Sequence, residues 1–106
     1  MMPDHIKIGW RRYTTGQPPD AVQQDGAHQP DPPVLLIRSA KSGPQTAHTA
    51  YHEVWHAFCE VYGKPPLKDE EAAADWFAGA MVSLVLDNPN FVAWINQLVR
   101  SDNGHA

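Results

Sequence analysis

The chain has a single cysteine, Cys59, so no internal disulfide can staple it, and a reducing, cytoplasmic setting is the simple expectation. Basic residues are few: eight Lys and Arg stand against twelve Asp and Glu, for a formal charge of −4. No basic stripe follows from that balance, which argues against nucleic acid as a partner. Long apolar runs are missing too. The longest, Phe77 to Leu86, is too short to span a bilayer and is interrupted by Gly79 and Ser83, so no membrane partner is expected. Met1 to Trp10 lacks the basic segment and apolar run of an export signal. What is present suits one soluble domain over residues 1–106, with a modest core and room for one site.

Along the chain, His5 to Trp10 alternates apolar and polar residues and predicts a strand with Ile6, Ile8 and Trp10 on one side. Thr14 to Pro33 holds five prolines and two glycines with almost no apolar residues, and reads as a long exposed loop. Val34 to Arg38 is a short β-branched run, expected to pair antiparallel with the first strand. Ser39 to Gln45, with Gly43-Pro44, reads as a turn.

Three helices are expected after it. The first, Thr46 to Tyr62, is capped by Thr46 or Thr49 and buries Ala47, Tyr51, Val54, Phe58 and Val61. The second, Lys68 to Leu86, opens on Asp69, Glu70 and Glu71, as the helix dipole favours, and turns Ala74, Phe77, Met81, Leu84 and Val85 inward. The third starts at Asn88-Pro89, runs to about Arg100 and buries Phe91, Val92, Ile95, Leu98 and Val99. Residues 101–106 are expected to fray. The sum is an α+β domain, a small antiparallel sheet packed on about three helices.

Within the first helix lies His52-Glu53-Val54-Trp55-His56. Residues four apart share a helix face, so both imidazoles can reach one ion, and zinc takes neutral imidazole nitrogen in a tetrahedral set. Glu53 is one step round the helix, placed to take a proton from a water beside the metal without ligating it. An oxygen ligand is expected from Glu71-Ala-Ala-Ala-Asp75: Glu71 on the metal, with Glu70 in reserve, and Asp75 one turn deeper accepting a ligand histidine's N–H. Ala72, Ala73, Ala74, Ala78 and Gly79 would let the two helices approach. The plainer alternative is a solvated pair of histidines and an acidic helix N-terminus.

At these residues the chain resembles the gluzincin metallopeptidases. Glu71-Ala-Ala-Ala-Asp75 is similar to the second metal-binding segment of the prenyl-protease and heat-shock membrane proteases. His56-Ala57 and Asp87-Asn88-Pro89 resemble small ImmA/IrrE-type and phage-encoded metallopeptidases. The likeness covers Val34 to about Leu98. It implies His52, His56 and Glu71 as zinc ligands, Glu53 as the base, a zincin-like frame, and Val34 to Arg38 as an edge strand that pairs with an extended peptide. Trp55 departs from the small residue many members carry there, and is expected to fill or flank the cleft.

No oxyanion-stabilising group is fixed by spacing; Arg38, Tyr51 and His105 are the candidates. His5, His28, His48 and His105 read as solvated, and Cys59 as a structural thiol. Trp10, Trp55, Trp76 and Trp94 suit the core or an interface, including a homodimer's. Two functions are therefore expected in order: a zinc-dependent peptidase acting on extended segments, then a non-catalytic zinc-stabilised module that binds a partner protein.

Overall fold

The computed structural model describes residues 1–104. Four strands, β1 (His5–Ile8), β2 (Arg11–Gly16), β3 (Gly26–Pro30) and β4 (Pro33–Ile37), precede three helices, α1 (Gly43–Tyr62), α2 (Glu70–Asp87) and α3 (Pro89–Val99). The class is α+β. The sheet is mixed rather than antiparallel: its order is β1-β2-β4-β3, with β2 and β4 parallel and the outer pairs antiparallel.

β1 keeps the expected alternation for Ile6 and Ile8, both buried, but Trp10 is 79% exposed. Gly9, at φ +60°, is the first residue of a two-residue turn that joins Ile8 to its partner Arg11. That conformation suits glycine in a hairpin, and it leaves Trp10 at the tip, against the Arg11 guanidinium. The strand expected over Val34 to Arg38 forms, but it does not pair with β1. β2 lies between them, so β4 is an inner strand and β3 takes the edge.

The segment expected to be a loop from Thr14 to Pro33 supplies the end of β2 and all of β3. Tyr13 is the one fully inward side chain of β2, and β3 has none. These strands are held by ladder hydrogen bonds more than by an apolar face, so the alternation that marks a strand in sequence is missing. Arg38 secures the loop between them, donating from Nη2 to Pro19 O at 3.0 Å and Val22 O at 2.6 Å.

The core lies between one sheet face, with Ile6, Ile8, Tyr13, Leu35 and Ile37, and the helices. From α1 come Ala47, Ala50, Val54, Ala57 and Phe58, and from α3 Phe91, Trp94, Ile95 and Leu98. Each large side chain fully buried there stabilises the fold by about 1.5–3 kcal/mol. Helix α1 begins three residues before the expected start. Ser42 is its N-cap, accepting from Gln45 N at 3.3 Å, and Pro44 sits in the first turn, where its missing N–H is not needed. Gly43 is required, since a Cβ there would fall 1.6 Å from Leu98 O. The tail expected to fray from Ser101 is instead packed down as far as Gly104, whose carbonyl accepts from the buried Thr46 hydroxyl at 3.1 Å.

On α2 the inward residue is Leu84, with Trp76 and Ala80 partly buried beside it. Of the face expected inward, Phe77, Met81 and Val85 stay exposed. From Trp76 to Leu86 this helix carries no charge, so no polar side fixes its rotation.

Asn88 precedes α3 as expected, but its side chain does not cap the helix. Its amide grips β1: Oδ1 accepts from Lys7 N and Nδ2 donates to Lys7 O, both at 2.7 Å, with a further bond to Leu84 O at 3.2 Å. Asn88→Ala should therefore cost about 2–4 kcal/mol in chemical denaturation, far more than a lost cap, because it leaves partly buried backbone groups of β1 unpaired. A loss under about 1 kcal/mol would contradict this role.

Candidate metal centre

His52 and His56 stand one turn apart on the solvent side of α1, with their Nε2 atoms 3.2 Å apart and their rings edge-on. Two nitrogens bound to one tetrahedral zinc at about 2.0–2.1 Å are separated by roughly 3.3 Å. The pair therefore fits one edge of a zinc tetrahedron. Without metal, an N–H of one neutral ring donating to the other holds the same geometry.

Glu53 points about a quarter-turn round the helix, toward β3, and is 6% exposed. It fits because Gly26 has no side chain: a Cβ there would meet Glu53 Oε2 at 2.7 Å. With His52 it lines a cavity of about 290 Å³, completed by Gln24, Asp25, Gly26, His48 and Thr49. A second cavity of about 580 Å³ shares Asp25, His48 and Thr49 and extends toward Lys41 and Pro44. The two form a groove along the first half of α1 and the start of the edge strand. His48, read as solvated, is exposed and lines both parts.

The expected oxygen ligand is not brought to the pair. Among the described residues no group of three or more His, Cys, Asp or Glu side chains is gathered to hold a metal. Glu70 and Glu71 are exposed on the first turn of α2. Asp75 lines a different cavity, with Tyr62, Trp76, Gly79, Ala80 and Ser83. The cause is aromatic. Trp55 stacks on Phe77 with centroids 5.0 Å apart and leans on Trp76 at 5.4 Å, so large rings separate the helices where close approach of small residues was expected. The spacing of His52 and His56 thus suits two positions of a zinc site, and a third protein donor is not gathered beside them; Glu71 would need to approach.

The groups expected to stabilise an oxyanion are otherwise engaged or lie elsewhere. Arg38 holds the loop before β3, Tyr51 packs edge-on against Phe91 at 5.7 Å, and His105 lies outside the described residues. Cys59 is partly buried, and burial raises its thiol pKa despite the nearby charge of Lys64. It remains a protonated thiol at neutral pH.

No family model matches the chain, and neither a curated protein nor a solved structure proves significantly similar to it.

His28 is a residue of this site that sequence patterning did not single out. Expected in solvent, it is partly buried, with its ring nearly parallel to that of His56 and centroids 6.2 Å apart. Its Nε2 is 3.0 Å from Glu60 Oε2. Glu60 also takes Arg11 Nη1 at 3.1 Å and the Tyr13 hydroxyl. Burial, and then the Glu60 carboxylate, push the Tyr13 phenol far above its usual range, so it stays a neutral donor. Two signals for this cluster were present: Glu60 lies four residues after His56, and Gly26-x-His28 has strand spacing.

Proposed function

We propose that the protein is a zinc-dependent peptidase of gluzincin type, working on extended peptide segments in a reducing, cytoplasmic setting. The observation that carries this is the pairing of His52 Nε2 and His56 Nε2 at 3.2 Å beside the buried Glu53, at the mouth of a groove under an edge strand. His52 and His56 would hold the metal, and Glu71, which stands exposed on α2 away from the pair, would have to move to them to serve as the oxygen ligand. Zinc bound there supplies Lewis-acid polarisation of a carbonyl and acidifies water. Glu53 accepts the proton of the attacking water and passes it to the leaving amine. Gly26–Pro30 is the edge strand and would offer its outer backbone groups to the substrate, apart from Pro30 O, which accepts from the Arg11 guanidinium; the resemblance had placed that role on Val34 to Arg38, which lies mostly in the inner strand β4. Cleavage of an unstructured peptide by zinc-loaded protein, lost on chelation and restored by zinc, tests the reading.

Glu71 has its own test. Glu71→Gln should weaken zinc affinity by about 10-fold or more, and Glu70→Gln by much less, since a neutral amide is the poorer ligand. Equal affinity in both variants and wild type, measured by chelator competition, would show that the oxygen ligand is another residue.

A second reading, a zinc-stabilised module that binds a partner protein, draws on the packing of Glu53 against Gly26. There Glu53 would fill the helix–strand contact and do no chemistry.

A further inference from the structure

Four side chains from two strands and a helix meet beside the histidine pair, and the hydrolysis proposed above uses none of them. Glu60 is their centre, one turn beyond His56 on the same face of α1. Its Oε1 takes Arg11 Nη1 at 3.1 Å and the Tyr13 hydroxyl, both from β2. Its Oε2 takes His28 Nε2, from β3, at 3.0 Å. That nitrogen is closed off from solvent and makes no hydrogen bond, so its contact with Glu60 is one of close packing. The other flank of the His28 ring meets Tyr13, with centroids 5.8 Å apart. His28 is thereby packed on two sides, and its ring lies nearly parallel to that of His56, tilted by only 18°. Centroids 6.2 Å apart fall within the range of offset ring stacking.

We propose that His28 is a positioning residue for His56. Its ring, packed between Glu60 and the Tyr13 ring, selects the His56 side-chain orientation that places Nε2 beside that of His52. His28 is not itself aimed at an ion, because its Nε2 is turned to Glu60. An imidazole on an exposed helix face samples several side-chain orientations, and metal binding must freeze one of them. A partner that selects the binding orientation beforehand raises affinity without touching the metal, as outer partners of metal ligands do. β3 can supply this partner because it runs along α1: Gly26 meets Glu53, and two residues later His28 meets His56 and Glu60.

The inference rests on the proposed zinc site, and the experiment separates the two. Zinc affinity is measured by chelator competition for wild type, His28→Ala and His28→Phe. Side-chain NMR of His56 is recorded on the metal-free proteins, with apo melting temperature as the check on folding. His28→Ala is expected to bind zinc about 10- to 100-fold more weakly than wild type. In the same variant the His56 ring should pass from one orientation to an average of several. His28→Phe keeps a flat ring and should restore affinity to within about 3-fold and the single His56 orientation, which a merely structural role would not produce. His28→Ala at wild-type affinity, or with an unchanged His56 signal, overturns the positioning role and leaves the zinc site standing. His28→Phe as weak as His28→Ala overturns it too, since the ring face would not be what acts. Wild-type protein that binds no zinc overturns the zinc reading, and the positioning role with it.

Discussion

Replacing His52 or His56 with alanine is expected to abolish stoichiometric zinc binding while leaving the metal-free fold nearly intact. Both side chains are exposed, so their removal opens no cavity and should change apo stability by about 0.5 kcal/mol or less. The metal term is much larger. If the proposed site is completed by a third ligand and is worth about 10 kcal/mol, loss of one imidazole would remove roughly a third of that, or about two orders of magnitude in affinity. For wild type, zinc at about 100 times its dissociation constant adds about 2.7 kcal/mol to stability. In a domain of this size that is a rise in melting temperature of roughly 10 °C or more. Neither alanine variant should show the rise at the same zinc concentration. A full shift in both, with one zinc per chain by elemental analysis, would place the metal elsewhere.

The second large effect concerns Glu53. Glu53→Gln should keep zinc, keep the fold and lose about 10²- to 10⁴-fold in turnover of an unstructured peptide. The amide matches the carboxylate in shape, so it fills the space against Gly26 without a new clash, but it cannot take a proton at neutral pH. This separates the two functional readings. As a peptidase base, Glu53 is needed for turnover only. As a packing group in a binding module, it is replaced by Gln without consequence, and no peptide is cleaved by wild type. Turnover by Glu53→Gln within about threefold of wild type would remove it from the chemistry.

The helices were legible where polarity was patterned. Phe91, Ile95 and Leu98 recur at helical steps, and Asn88-Pro89 marks the start of α3. Asn88 then spends its amide on β1, 81 residues away in sequence, which no local pattern records. Helix α2 was misoriented because its stretch from Trp76 to Leu86 carries no charge; its facing shows only in contacts with other elements, Trp76 and Phe77 against Trp55 and Leu84 in the core. In the sheet, β1 and β4 announced themselves with aliphatic residues. β2 and β3 did not, and missing them made β4 an edge and hid the neighbourhood of His28. The candidate site divides in the same way. His52, Glu53 and His56 depend on one helix's geometry and were readable, whereas the position of Glu71 depends on how two helices pack.

The central claim is a zinc ion held by both helix imidazoles, and the zinc X-ray absorption fine structure of the loaded protein tests it most directly. The spectrum should show two imidazole nitrogens at about 2.0–2.1 Å with oxygen filling the remaining positions at about 2.0–2.2 Å, and no sulfur. Loss of one imidazole contribution should follow in any residual metal bound to His52→Ala. A spectrum with a sulfur neighbour at about 2.3 Å, or one without imidazole scattering, would contradict it.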